Sequence, residues 1–142
     1  MKRRDNQLRL RRFRVDELQR RIGTLDAIAA DLVRKLADLE ETVARERQRA
    51  NETDLGRLAF PSFLKAMDAR RENLKATLND IERERGHTDT EFALAGQELK
   101  SLEIAAEQEV RRAAELPLQR SRIRLGEIAL ARQLRKQALR QI

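Results

Sequence analysis

Cysteine is missing from all 142 residues, which excludes disulfides, thiolate metal sites and cysteine nucleophiles and suits a reducing cytoplasm. Tyrosine and tryptophan are missing as well, and four phenylalanines are the whole aromatic complement. The 40% hydrophobic content is mostly alanine and leucine, too little bulk for a globular core. Only five glycines and two prolines punctuate the chain, so few turns are expected. No apolar run approaches about 18 residues, and the start Met1-Lys2-Arg3-Arg4-Asp5 is not followed by an apolar stretch of signal-peptide type. Neither a membrane span nor export by a cleaved signal is expected, and the sequon Asn51-Glu52-Thr53 reads as a polar turn.

The groups that carry chemistry are scarce too. The glycines stand apart at 23, 56, 86, 96 and 126, and none precedes the Lys-Ser/Thr of a phosphate loop. His87 is the single histidine, so neither a histidine metal site nor a Ser-His-Asp triad can be assembled in one chain; it reads as a polar residue at a weak point of a helix. Aspartates and glutamates are plentiful, but paired helices offer no enclosed pocket to shift their pKa values. The expectation is a protein without catalysis, cofactor or metal.

What the chain has is Ala, Glu, Leu, Arg and Lys in long periodic runs, with 39% charged residues, the composition of long helices or coiled coil. Val15, Leu18, Ile22, Leu25, Ala29, Leu32, Leu36, Leu39 and Val43 alternate steps of three and four over four heptads. With Val15, Ile22, Ala29, Leu36 and Val43 at a, leucine fills four successive d positions. Covering each leucine is worth roughly 1.5–3 kcal/mol, and this narrow stripe requires a partner helix to do it.

The helix is expected over 2–50. Its seam extends back through Leu8 but meets Arg11 where a d residue belongs, and Arg3, Arg4, Arg9, Arg12 and Arg14 crowd the positive end of the dipole, which invites fraying. Periodicity stops over 51–61, the expected bend, where turn formers are followed by Phe60-Pro61-Ser62-Phe63. A second helix over 62–116 then carries Met67, Leu74, Leu78, Ile81, Phe92, Ala95, Leu99, Leu102 and Ala106 on its seam, with Arg85 and Thr88 in two seam sites beside Gly86-His87. A continuous helix is expected there, although Thr88-Asp89-Thr90-Glu91 would cap a new one. Pro117 should kink or end it, leaving 117–142 as a basic amphipathic tail ordered by a partner.

A short linker forces the helices antiparallel, so the expected fold is all-α: two long helices in an antiparallel coiled-coil hairpin with a basic C-terminal helical extension. Charge agrees. The net +7 resolves into +6 over 1–14, +7 over 111–142 and −6 between them. In either of two registers one heptad apart, the arginine-rich start lies beside Glu98, Glu103, Glu107 and Glu109.

Candidate contact residues follow from this layout: Arg3, Arg4, Arg9 and Arg12 at one basic end, Arg120, Arg122 and Arg124 in the other, and Phe60, Phe63 and Leu64 at the bend. The two phenylalanines are expected to close the last seam layer more than to dock a partner. Arg70 and Arg71 fall among seam positions, at least one of them facing solvent. The positive charge also suits a polyanion, but no stacking Tyr or Trp and no nucleic-acid fold accompany it, so nucleic-acid binding or a generic scaffold is the alternative.

The segment Leu58-Ala59-Phe60-Pro61-Ser62-Phe63-Leu64-Lys65-Ala66-Met67-Asp68-Ala69-Arg70-Arg71-Glu72-Asn73-Leu74 resembles the corresponding stretch of alphaproteobacterial FliJ proteins, as does the opening Leu8-Arg9-Leu10-Arg11-Arg12-Phe13-Arg14-Val15-Asp16-Glu17. The resemblance implies a component of the flagellar type III export apparatus, an antiparallel coiled coil similar to the stalk of rotary ATPases. Its implied partners are the export ATPase (FliI-like), that enzyme's regulator (FliH-like), the cytoplasmic domain of the export gate (FlhA-like) and export chaperones. Its implied place is the cytoplasmic face of the flagellar base, peripheral to the membrane. The tail after Pro117 and the Gly86-His87 interruption have no match in the family's pattern.

Overall fold

The computed structural model describes residues 2–141, all but the terminal Met1 and Ile142. They form two helices and no strand: α1, Lys2–Ala50, and α2, Asp54–Arg140, of 49 and 87 residues. The fold is the all-α antiparallel hairpin with a basic helical extension. Two compact units divide it, one built from residues 9–97 and the other from the first turns of α1 with residue 98 onward.

In the unit of residues 9–97 the leucine stripe is the core. Leu18, Leu25, Leu32, Leu39 and Val43 are buried, and Ala50 closes the row; Leu18 is 2% exposed. The a residues Val15, Ile22, Ala29 and Leu36 are only half-buried, because one neighbouring helix covers a single flank of the seam. From α2, Met67, Leu74, Leu78, Ile81, Phe92 and Ala95 face the stripe half-buried, and its one fully buried residue is Thr88, at 3% exposure. Cross-helix ion pairs flank the seam. Arg14 Nη2 lies 3.2 Å from Glu91 Oε2, Arg21 Nη2 2.5 Å from Glu84 Oε1, and Arg85 Nε 2.5 Å from Asp26 Oδ1.

The bend is far shorter than the expected 51–61: only Asn51–Thr53 leave the helices. Thr53 is the N-cap of α2, its Oγ1 accepting the Gly56 amide at 3.0 Å and its carbonyl the Arg57 amide at 3.1 Å, while Asp54 places a carboxylate in the first turn. Asn51 and Glu52 amides donate to the Arg47 and Arg49 carbonyls and finish α1. Gly56 allows the two ends to approach: a Cβ there would lie 2.8 Å from Thr53 Oγ1 and 3.0 Å from the Ala50 Cα and carbonyl oxygen. The expected helix start at Pro61 is therefore corrected. Pro61 sits inside α2 at an exposed position, where its missing N–H removes one hydrogen bond from the helix ladder. The helix also runs unbroken through Gly86-His87 and through Pro117, which neither ends it nor starts a separate element.

In the other unit, Leu8, Leu99, Leu102, Ala105 and Ala106 are half-buried and no residue is fully buried among those described. From residue 107 to 141 every residue is exposed.

Candidate partner-binding surfaces

The sequence singles out three surfaces, and the two-helix fold treats each differently. At the start of α1, Arg3, Arg9 and Arg12 are exposed, whereas Arg4 is half-buried against Glu109. That pairing matches the acidic strip expected for the basic end; Glu107 instead holds Arg111 one turn on, at 2.9 Å. Arg4 and Asp5 border a shallow cleft of about 420 Å³ whose apolar side is Ala106, Val110, Ala113 and Leu116.

At the bend, Phe60, Phe63 and Leu64 are half-buried. The phenyl rings meet tilted, centroids 6.1 Å apart, and the Arg47 guanidinium stands 5.6 Å from the Phe60 centroid. The two rings line a groove with Ala50, Gly56 and Ala59. The side chains bare of cover here are Leu55 and Leu58, 81% and 82% exposed. Sequence reasoning misses them as contact residues because their region reads as a turn, although leucines three apart at the start of a helix are a legible signal.

Arg70 and Arg71 part company. Arg71 occupies the seam position between Met67 and Leu74, and its fork grips Glu40, Nη2 to Oε2 at 3.1 Å with Nε on Oε1, while Nη1 reaches Asp68 Oδ1 at 2.5 Å. These hydrogen bonds, Glu40 first and Asp68 second, raise its pKa above an already alkaline value. The Glu84 and Asp26 carboxylates do the same for Arg21 and Arg85. Arg70 is exposed and, with Lys35, rims an open groove of about 300 Å³ over Leu39, Phe63 and Met67.

The third surface is the end of α2. Residues 111–140 carry nine cations against Glu115 and Glu127, and Leu116, Leu118, Ile123, Leu125, Ile128, Leu130, Leu134 and Leu139 are all exposed. Among the described residues no ion pair or hydrogen bond engages the side chains of Arg120, Arg122 or Arg124. At 100° per residue Leu116, Ile123, Leu130 and Leu134 form one stripe and Leu118, Leu125, Ile128 and Leu139 a second on another face. A helix with apolar residues on two faces and cations spread around it presents binding groups on every side.

Among the described residues no cluster of His, Asp or Glu is arranged to hold a metal ion. No helix among them is long and apolar enough to cross a membrane. The architecture defines the class, an antiparallel coiled-coil hairpin with an unpaired basic arm. No family model, no curated protein and no solved structure matches the chain.

Proposed function

We propose that the protein is a non-enzymatic stalk or adaptor of the flagellar type III export apparatus. In this reading it binds the export ATPase ring and the export gate and promotes ATPase assembly and protein export. The observation that carries a binding role is the end of α2: thirty residues of basic, leucine-rich helix, 111–140, every one of them exposed. A helix that leaves eight large apolar side chains and nine cations in water is suited to a complex with an acidic, apolar-lined partner. Assignment of that partner rests on the FliJ-like segments at 8–17 and 58–74. The same resemblance supports the ATPase's regulator and export chaperones as further partners, and a place at the cytoplasmic face of the flagellar base. Basic groups steer the encounter and the leucines hold it.

The test is the turnover of the source organism's flagellar export ATPase, titrated with the full chain and with a chain truncated before Pro117. Stimulation that weakens on truncation is expected. No stimulation by either folded form contradicts the reading. The nine cations of the arm favour a polyanion as the second reading; in that case nucleic acid is bound with a steep salt dependence and the ATPase is unaffected.

A further inference from the structure

One layer of the hairpin collects features that weaken helices, on both strands of the pair at once. The Arg21–Glu84 and Asp26–Arg85 bridges, each 2.5 Å, place Gly23 of α1 and Gly86 of α2 at the same level. Neither glycine is there for space or for backbone shape. A Cβ on either would meet nothing within 4 Å, and neither has a positive φ, so alanine would fit both and strengthen both helices. The seam at this level is also the least apolar in the unit, with Arg85 and Thr88 taking the places between Ile81 and Phe92.

Three threonines add to this. Thr24 Oγ1 donates to the Arg20 carbonyl at 3.1 Å, Thr88 Oγ1 to the Glu84 carbonyl at 2.9 Å, and Thr90 Oγ1 to the Gly86 carbonyl at 3.1 Å. Such bonds compete for the carbonyls of the helix ladder and bend helices. Thr42 and Thr77 make the same bond elsewhere, but with no glycine within four residues of either.

Apolar cover at this level comes from α1, with Leu25 buried and Ile22 half-buried, while α2 answers with Arg85, Thr88 and the two ion pairs; an ion pair tolerates changes in distance and angle that leucine packed against leucine does not. From these observations we infer that the hairpin has a built-in flexure at the Gly23/Gly86 layer. There both helices open and bend locally while the leucine-packed layers on either side stay closed. The inference depends on the hairpin alone and holds whatever partner the basic arm takes.

Native-state hydrogen exchange on the full chain at rising, sub-denaturing urea tests it. Amides of 20–27 and 83–90 are expected to exchange about tenfold or more faster than those of 32–39 and 71–78, at a rate almost independent of urea, because local opening exposes little surface. The flanking amides should accelerate with urea as they follow global unfolding. In the Gly23→Ala/Gly86→Ala variant, exchange in the layer should slow about tenfold or more. Layer amides that share the rate and urea slope of the flanks would overturn the flexure, as would a double variant whose layer exchange is unchanged.

Discussion

The leucines of residues 18–39 and the leucines of residues 116–139 have the same chemistry and opposite surroundings. Leu18, Leu25, Leu32 and Leu39 recur every seven residues on one line, and an antiparallel neighbour buries them all. Leu116, Ile123 and Leu130 keep the same interval, yet Leu118, Leu125 and Leu139 lie on another face with Arg132 breaking their spacing, and all six are exposed. One stripe is answered by one helix; two stripes on one helix ask for a groove or a ring of neighbours. The first region is therefore the source of stability, and the second is the exposed surface on which the proposed binding role rests.

The sharpest break of this comparison is a matched pair of truncations. Leu25→Ala removes a buried side chain and is expected to cost about 2–4 kcal/mol in urea unfolding followed by helical circular dichroism. Leu125→Ala, made on the bare arm, should stay within about 0.5 kcal/mol of the parent. Equal losses would mean that the arm packs against something in the free chain.

Glycine offers a second, smaller contrast. Gly56→Ala forces a methyl group onto Thr53 Oγ1 and the Ala50 backbone and should lower stability by about 1–3 kcal/mol. Gly126→Ala meets nothing and should increase the helicity of the arm, with a gain of up to about 1 kcal/mol in that helix. Thr53→Ala, which strips the N-cap oxygen from the Gly56 amide, is expected to cost about 0.5–2 kcal/mol, and Thr53→Ser to restore most of it.

The charged seam residue comes next. Arg71→Ala should destabilise less than Leu25→Ala, and the loss should shrink as salt is raised, since Glu40 and Asp68 stand at the surface. The smallest effect is that of alkaline pH. Arg21, Arg71 and Arg85 have raised pKa values in the folded chain, so their contribution is fully present below the unfolded value and is lost only as pH climbs through the still higher folded one. With no cysteine or tyrosine to titrate, the melting temperature should be flat from about pH 7 to 9.5.

The hairpin was legible because its seam is written in one residue type at one interval, and because basic and acidic stretches face each other only in the antiparallel sense. The bend was not. Phe60-Pro61 looked like a helix start, since proline fits a first turn; the actual start is decided by one threonine hydroxyl and by a glycine small enough to let Ala50 approach. Pro61 lies further in, at an exposed position of α2, at the cost of one ladder hydrogen bond. Arg71 was half-legible. Its place in the 3–4 alternation was visible, but Glu40 comes from the other helix, and only a known register brings the two together. Pro117 illustrates a further limit: in a helix with water on every side a missing hydrogen bond is replaced by solvent, so proline alone did not decide the boundary.

The binding role proposed for the basic arm requires residues 111–140 to become covered when a partner is present. Hydrogen exchange of the full chain, alone and with the flagellar export ATPase, tests it most directly. Amides of 111–140 are expected to be the least protected helical amides of the free chain and to gain strong protection in the complex. A complex that forms while those amides stay as exposed as before would contradict it.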